Sequence, residues 1–382
     1  MRLYLDHNAG APLRPAVREA MLAWLGPPAN PSSAHREGAR ARRALEEARA
    51  EVAGLIGAAP ADIVFTSGAT EANNLALRGV LAGGAGASRI VTTAIEHASV
   101  RETARALVAE HGGTVVEVGS DGEGRVAASA VLAAAEPGTA IVSVGLANGE
   151  IGVVTPVADI ASGLRGRGIL LHTDAAQACG RLPVDVGALG VDLLSLSSHK
   201  LGGPAGAGAL WVRPGTILSP AITGGAQERG RRAGTENVAA LVGFGVAARL
   251  ARQALETEPA REAVLTQRLW DGLRGAIPGL VRNGPAAGPR LPNTLNVTVP
   301  GCAGETLLVL LDLEGIAVSL GSACAAGSIE PSHVLLALGR DPEAARAGVR
   351  LSLGPSTTEA DVARVIAVLP RVVAEVRRRA AA

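Results

Sequence analysis

The chain has 382 residues with 36 basic and 35 acidic side chains, and its net charge of +1 argues against nucleic acid or an anionic membrane as main partner. Its length suits one large and one smaller domain, each with a buried core. Three cysteines, Cys179, Cys302 and Cys324, include no pair at metal-ligand spacing, so reduced thiols and no metal site are expected.

Apolar runs such as "VAALVGFGVAA" (238–248) fall short of the roughly 18 residues that a membrane span needs. Arg2, Asp6 and His7 stand where a signal peptide would have its apolar core, so a cytoplasmic protein is expected. Between 35 and 57, Ala41, Ala44, Leu45, Ala48, Val52, Leu55 and Ile56 recur at helical spacing. "DIVFTSGATEANNLAL" then reads as a strand, a Ser-Gly turn and a helix. Strand-like "RIVTT", "TVVEV", "AIVSVGLA", "GILLHTD", "DLLSLS" and "GALWV" follow, separated mostly by helix-length segments. Such alternation predicts an α/β fold with a mainly parallel sheet between helices. Two long helices after about 235 lead to "NTLNVTV", "GETLLVLLDL", "IAVS", "GVRLSL" and a last helix from Glu359, a smaller α+β unit. The expected division is an N-terminal segment (1–14) packing with the small domain, a large domain (15–255) and a small C-terminal domain (256–382).

Lys200, in "LSLSSHKLGGPAG", is the chain's single lysine among 35 arginines. Arginine supplies charge but cannot form an imine, because its guanidinium stays protonated. A lysine retained against that background is a candidate Schiff-base residue. It follows an apolar strand at the sheet edge where α/β proteins place ligands. Asp174 ends another strand, where a carboxylate can keep a pyridinium nitrogen protonated. "TSGATEA" offers free amides at Gly68, Ala69 and Thr70, with the Thr70 hydroxyl, as a phosphate cup. Ser197 and His199 are placed to add phosphate contacts.

From "YLDHNAGAP" to "VRLSLGPSTTEADV" the chain resembles the pyridoxal-phosphate cysteine desulfurases of fold type I, in the branch serving iron–sulfur cluster and nitrogenase assembly. The resemblance also rests on "TSGATEANN", "EHASV", "HTDAAQACG", "SLSSHKLGGPAGAGALWV", "GGAQERGRRAGTEN" and "GSACAAGSIEPSHVLLALG". It implies a seven-stranded sheet, pyridoxal phosphate joined to Lys200, Asp174 under the pyridine nitrogen, His97 stacked on the ring as proton carrier, and Gln177 near the phenolic oxygen. Phosphate contacts are implied from Ala69, Thr70, Ser197 and His199, with Thr235 reaching across a homodimer. Cys324 is implied as the travelling nucleophile that takes sulfur from L-cysteine as a persulfide, for an acceptor such as an iron–sulfur scaffold. Arg350 is implied to clamp the substrate carboxylate, with Asn8 nearby. Cys179 and Cys302 read as small buried hydrophobes.

Two positions depart from the pattern. Gly149 in "LANGEIG" replaces the asparagine that usually meets the phenolic oxygen, and Gly10 lacks the usual hydroxyl. The end "VRRRAAA" gives no reason to expect a docking tail. A related lyase or aminotransferase that has no need of Cys324, and a low-activity cofactor-binding sulfur-transfer scaffold, stay open as alternatives.

Overall fold

The structure is a computed structural model, and it describes residues 2–83, 88–321 and 330–381. In chain order it opens with β1 (Leu3–Tyr4), α1 (Pro15–Leu22) and α2 (Arg36–Leu55). The apolar stripe of α2 buries Ala41, Leu45, Ala48 and Val52, and the His35 ring caps its first turn by accepting from the Gly38 amide. The alternating region follows as β2 (Ile63–Thr66), α3 (Ala69–Gly83), β3 (Arg89–Thr93), α4 (Ala98–His111), β4 (Thr114–Val118), α5 (Ala128–Ala134) and β5 (Thr139–Gly145). It continues with α6 (Val157–Leu164), β6 (Leu170–Asp174), α7 (Val186–Leu189), β7 (Leu193–Ser197) and β8 (Gly208–Val212).

These strands form one seven-stranded sheet in the order β2-β8-β7-β6-β5-β3-β4. Only β8 runs against its neighbours, so the sheet is mainly parallel, as the alternation predicts. Side chains alternate between faces. Ile63, Phe65, Val142, Val144, Leu194 and Leu196 enter one core, and Val64, Ile141, Leu193 and Leu210 enter the other. Burial on both faces is what makes these strands read as continuous apolar runs.

Beyond the sheet, α8 (Val238–Ala254) packs along α2 and puts Phe244, fully buried, into the first core. A 73° bend separates it from α9 (Glu258–Ala276), whose Leu265, Leu269 and Leu273 enter a different core. After β9 (Val281–Asn283), that core takes side chains from β10 (Thr294–Thr298), α10 (Gly304–Leu313) and β11 (Ile316–Ala317). The chain ends with α11 (His333–Ala337), α12 (Pro342–Arg346), β12 (Gly348–Ser352) and α13 (Glu359–Ala381). Strands β12, β10 and β9 make an antiparallel sheet. The "IAVS" segment yields only the short β11, which pairs in parallel with β1 and so fastens the start of the chain to this second core. No single helix among the described residues is long and apolar enough to cross a membrane.

Candidate active site

The carboxyl ends of β2, β5, β6 and β7 open on one cavity of about 560 Å³. Its lining includes Asn8, Gly68, Ala69, Thr70, His97, Asp174, Gln177, Ser197, His199, Lys200 and Arg350. Parallel strands lead here because each crossover leaves its strand at the same edge. Thr235 is exposed and outside the cavity of its own chain, and Cys324 lies outside the described residues.

At one end, α3 starts at Ala69 immediately after the β2 turn, and the first amides of a helix have no intrahelical acceptor. The Glu71 carboxylate accepts from the Ser67 amide at 2.8 Å and pairs with Arg232, which lowers its pKa and keeps it ionised. Gly208, at the start of β8, has to be glycine: a Cβ there would stand 2.5 Å from the Gly68 backbone. The reversed strand therefore lies directly against the turn. Ser197 Oγ and His199 Nδ1 are 2.9 Å apart, and burial, then the Lys200 charge, push His199 down to about 4, so its ring is neutral near pH 7.

At the floor, the Asp174 carboxylate accepts from the Ala176 amide (2.9 Å) and from Asn73 Nδ2 (2.8 Å). A carboxylate accepts only, which fixes the Asn73 amide orientation. Asn73 Nδ2 also donates to Ser99 Oγ (2.8 Å), and Ser99 Oγ lies 2.7 Å from His97 Nδ1. Because the Ser99 amide also donates to Nδ1, that nitrogen is the acceptor and the neutral ring carries its proton on Nε2. A continuous hydrogen-bonded path thus joins His97 to Asp174 through Ser99 and Asn73.

The remaining wall comes from the chain start and the second core. Lys200 Nζ donates to the carbonyls of Asn8 (2.5 Å) and Ala9 (2.9 Å). Arg350, 3% exposed, pairs with Asp6 at 2.7 Å and donates to the Gly149 carbonyl at 3.2 Å. Its Nε has no protein partner among the described residues. The Asn8 side chain, expected near the substrate, is committed to the protein. Its Nδ2 donates to Gly149 O and Thr294 Oγ1, both at 2.8 Å, and its Oδ1 accepts from Asn293.

Gly149 has a local reason. A Cβ there would come within 2.7 Å of Gln177 Cδ and Nε2. Gln177 lies against that bare backbone, donating to Asn8 O (3.0 Å) and accepting from Arg181 (3.1 Å). At Gly10 a Cβ would meet only His199 Cδ2 at 3.8 Å, an ordinary contact.

A family model described as aminotransferase class-V matches residues 3–365. An IscS-like cysteine desulfurase of Mycobacterium tuberculosis is 43% identical, with 99% of this chain and 98% of the relative aligned. The chain belongs to the class-V aminotransferase family. A solved NifS-like protein superposes with a TM-score of 0.91 at 35% identity, covering 98% of this chain and 100% of the other. SspA, solved in complex with cysteine, gives 0.81 at 35% identity over 94% and 100%.

This class-V member takes pyridoxal phosphate, and the residues present fit it. The cavity has an amide-rich helix start for a phosphate, an oriented carboxylate for a ring nitrogen, and an amine for an aldehyde. Sequence reasoning passed over Asn73 and Ser99. Asn73 shares the buried stripe of α3 with Leu77 and Val80, a polar residue in an apolar row. It also passed over three more residues of the wall. Glu96, pushed up to about 7 by burial, accepts from Thr93 Oγ1 and the Gly145 amide, and His333 donates to its carbonyl. Glu150, also pushed up to about 7 by burial, accepts from Ser332.

Proposed function

We propose that this protein is a pyridoxal-phosphate-dependent cysteine desulfurase that turns L-cysteine into L-alanine and passes the sulfur on through Cys324. The observation that carries this reading is the meeting of Lys200, Asp174, His97 and the α3 start around one cavity. Pyridoxal phosphate, when bound, supplies an aldehyde for an amine and a ring that accepts electrons.

The chain's own residues do the rest. Gly68, Ala69, Thr70, Ser197 and His199 would hold the phosphate. Asp174, held by Asn73 and Ala176, would keep the ring nitrogen protonated. Lys200 would hold the cofactor's aldehyde and, as a released amine, would take the Cα proton of the substrate. Arg350, whose Nε has no protein partner among the described residues, meets the substrate carboxylate. His97, with its proton on Nε2, serves as a proton carrier. The Cys324 thiolate attacks the substrate sulfur and the carbon–sulfur bond breaks. Its electron pair stays with carbon, which is protonated to give alanine, and the sulfur remains on Cys324 as a persulfide. The other thiols are poor candidates: burial pushes Cys179 up to about 12 and also raises Cys302.

The functional form is a homodimer in which Thr235 completes the partner's phosphate cup. Exposed Leu22, Leu25, Ile217 and Ile222 supply apolar surface for it. The acceptor is an iron–sulfur scaffold or another sulfur-accepting protein. The free buried thiols of Cys179 and Cys302 fit a reducing compartment, the cytoplasm.

Incubating the purified protein with L-cysteine and measuring sulfide and alanine together tests the reading. Lys200→Arg should abolish both products, while Cys324→Ala should keep the bound-cofactor absorbance and lose the persulfide. An active Lys200→Arg enzyme would sink the assignment.

A further inference from the structure

Residues 8 and 9 sit where the start of the chain crosses the cavity. The amides of Ala9 and Gly10 both donate to the Asp6 carbonyl, at 3.0 and 3.3 Å, which bends the segment into a turn. The Asn8 and Ala9 carbonyls then converge on one amine, Lys200 Nζ. Just beyond the turn, the Ala11 amide donates to the carbonyl of His199, the residue before Lys200. Segment and lysine are thus tied at both main chain and side chain.

Asn8 is the centre of this arrangement and is 1% exposed. Its amide nitrogen donates to Ser352 Oγ of β12, its Nδ2 to Gly149 and to Thr294 of β10, and its Oδ1 accepts from Asn293. Its carbonyl also receives Gln177 Nε2. One residue therefore ties the chain start to the loop after β5 and to β10 through its side chain, and to β12 through its amide nitrogen.

We propose that the Asn8 and Ala9 carbonyls form a seat for the Lys200 amine whenever that amine is not bonded to the cofactor, and that Asn8 is the positioning residue that builds the seat. The inference rests on the proposed function, because that reaction needs Lys200 to leave its covalent bond when substrate enters and to return afterwards. A free amine on a flexible four-carbon stem would otherwise sample much of the cavity, and holding it within reach preserves the orientation that proton transfer needs. Carbonyls only accept, so two N–H groups are used. The remaining position on nitrogen is either a third N–H or the lone pair, and the seat accommodates the amine in both protonation states.

The chain's single lysine makes the seat measurable, since amine labelling reads Lys200 alone apart from the chain terminus. The experiment labels the full chain with trace acetic anhydride, beside a reference peptide containing one lysine, and quantifies Lys200 by mass spectrometry. It is run on cofactor-free protein and on loaded enzyme saturated with L-alanine, which takes the place of Lys200 on the cofactor. Two hydrogen bonds should slow labelling of Lys200 in the unsubstituted chain about tenfold relative to the peptide. Asn8→Ala should remove most of that protection. Thr294→Val, which deletes one acceptor of the Asn8 amide, should fall between, and it decides the matter where Asn8→Ala does not fold. The buried Cys179 and Cys302 should stay unreactive to a thiol reagent throughout. Equal labelling in all three proteins, or exposure of those thiols in step with Lys200, would overturn the seat. Labelling of cofactor-free protein does not depend on sulfur release, so an intact seat without desulfurase activity would count against the proposed function instead.

Discussion

At the scale of single residues, the chemistry depends on side chains whose hydrogen-bonding capacity leaves little choice. Asn73 is 0% exposed, and its two amide hydrogens go to Asp174 and Ser99. Asn73→Ala should therefore leave the helix intact but free Asp174 and cut the path to His97. The expected result is a fall in kcat of roughly 10- to 100-fold, below the about 100- to 10,000-fold of a lost acid–base group, because Asn73 acts only through Asp174 and His97. Its kcat–pH profile should also move, which simple loosening of α3 would not cause. Steady-state kinetics across pH checks both, and an unchanged profile would mean that the path is only structural. The placing of Lys200, Asp174 and the Gly68–Thr70 turn at strand ends around the cavity was legible in the sequence, because each is a residue type that its proposed task requires there. Asn73 and Ser99 were not, since their roles arise only when α3 and α4 come together over β6.

Among the elements, the turn Gln227–Gly230 places Glu228 (φ 46°) and Arg229 (φ 58°) in the left-handed region, where non-glycine residues are strained. The strain is offset by a buried fork. Arg49 of α2 meets both Glu228 oxygens at 2.7 Å, and Glu228 also accepts from the Phe65 amide of β2 at 2.8 Å. Both side chains are almost fully buried, 3% and 2% exposed. Glu228→Ala would leave the buried Arg49 guanidinium with only the half-exposed Glu46 and the Ile63 carbonyl as partners, which costs up to about 3–5 kcal/mol. Glu71→Ala, removing a more exposed partner of Arg232, should cost less. Denaturant unfolding of the two variants gives the comparison, and equal losses would contradict it. No pattern in "GGAQERGRRAGTEN" announced the strained turn, because its cause lies on α2, far away in the chain.

For the whole molecule, the single chain leaves Thr235 exposed and away from its own cavity. The proposed dimer makes a prediction that neither subunit alone can meet. Thr235→Glu would bring a negative charge towards the partner's phosphate, and Lys200→Arg lacks the amine. Co-expressed as hybrids, one subunit supplies Lys200 and the other Thr235, so activity should appear that neither parent shows. If Thr235 acted within its own chain, the hybrids would stay inactive. The alternation of apolar runs and helical stripes by itself determined the mainly parallel sheet, because periodicity is a local property that survives without knowledge of neighbours. A lone amine in an arginine-rich chain likewise pointed to Lys200, because imine chemistry excludes arginine, and that residue lines the cavity. Only the tertiary structure decided that Asn8 is spent on the protein and that Gly149 makes room for Gln177. Those outcomes depend on which atoms meet across some 140 to 340 positions of chain for Asn8 and across 28 for Gly149 and Gln177, and burial then leaves each donor and acceptor few partners to choose from.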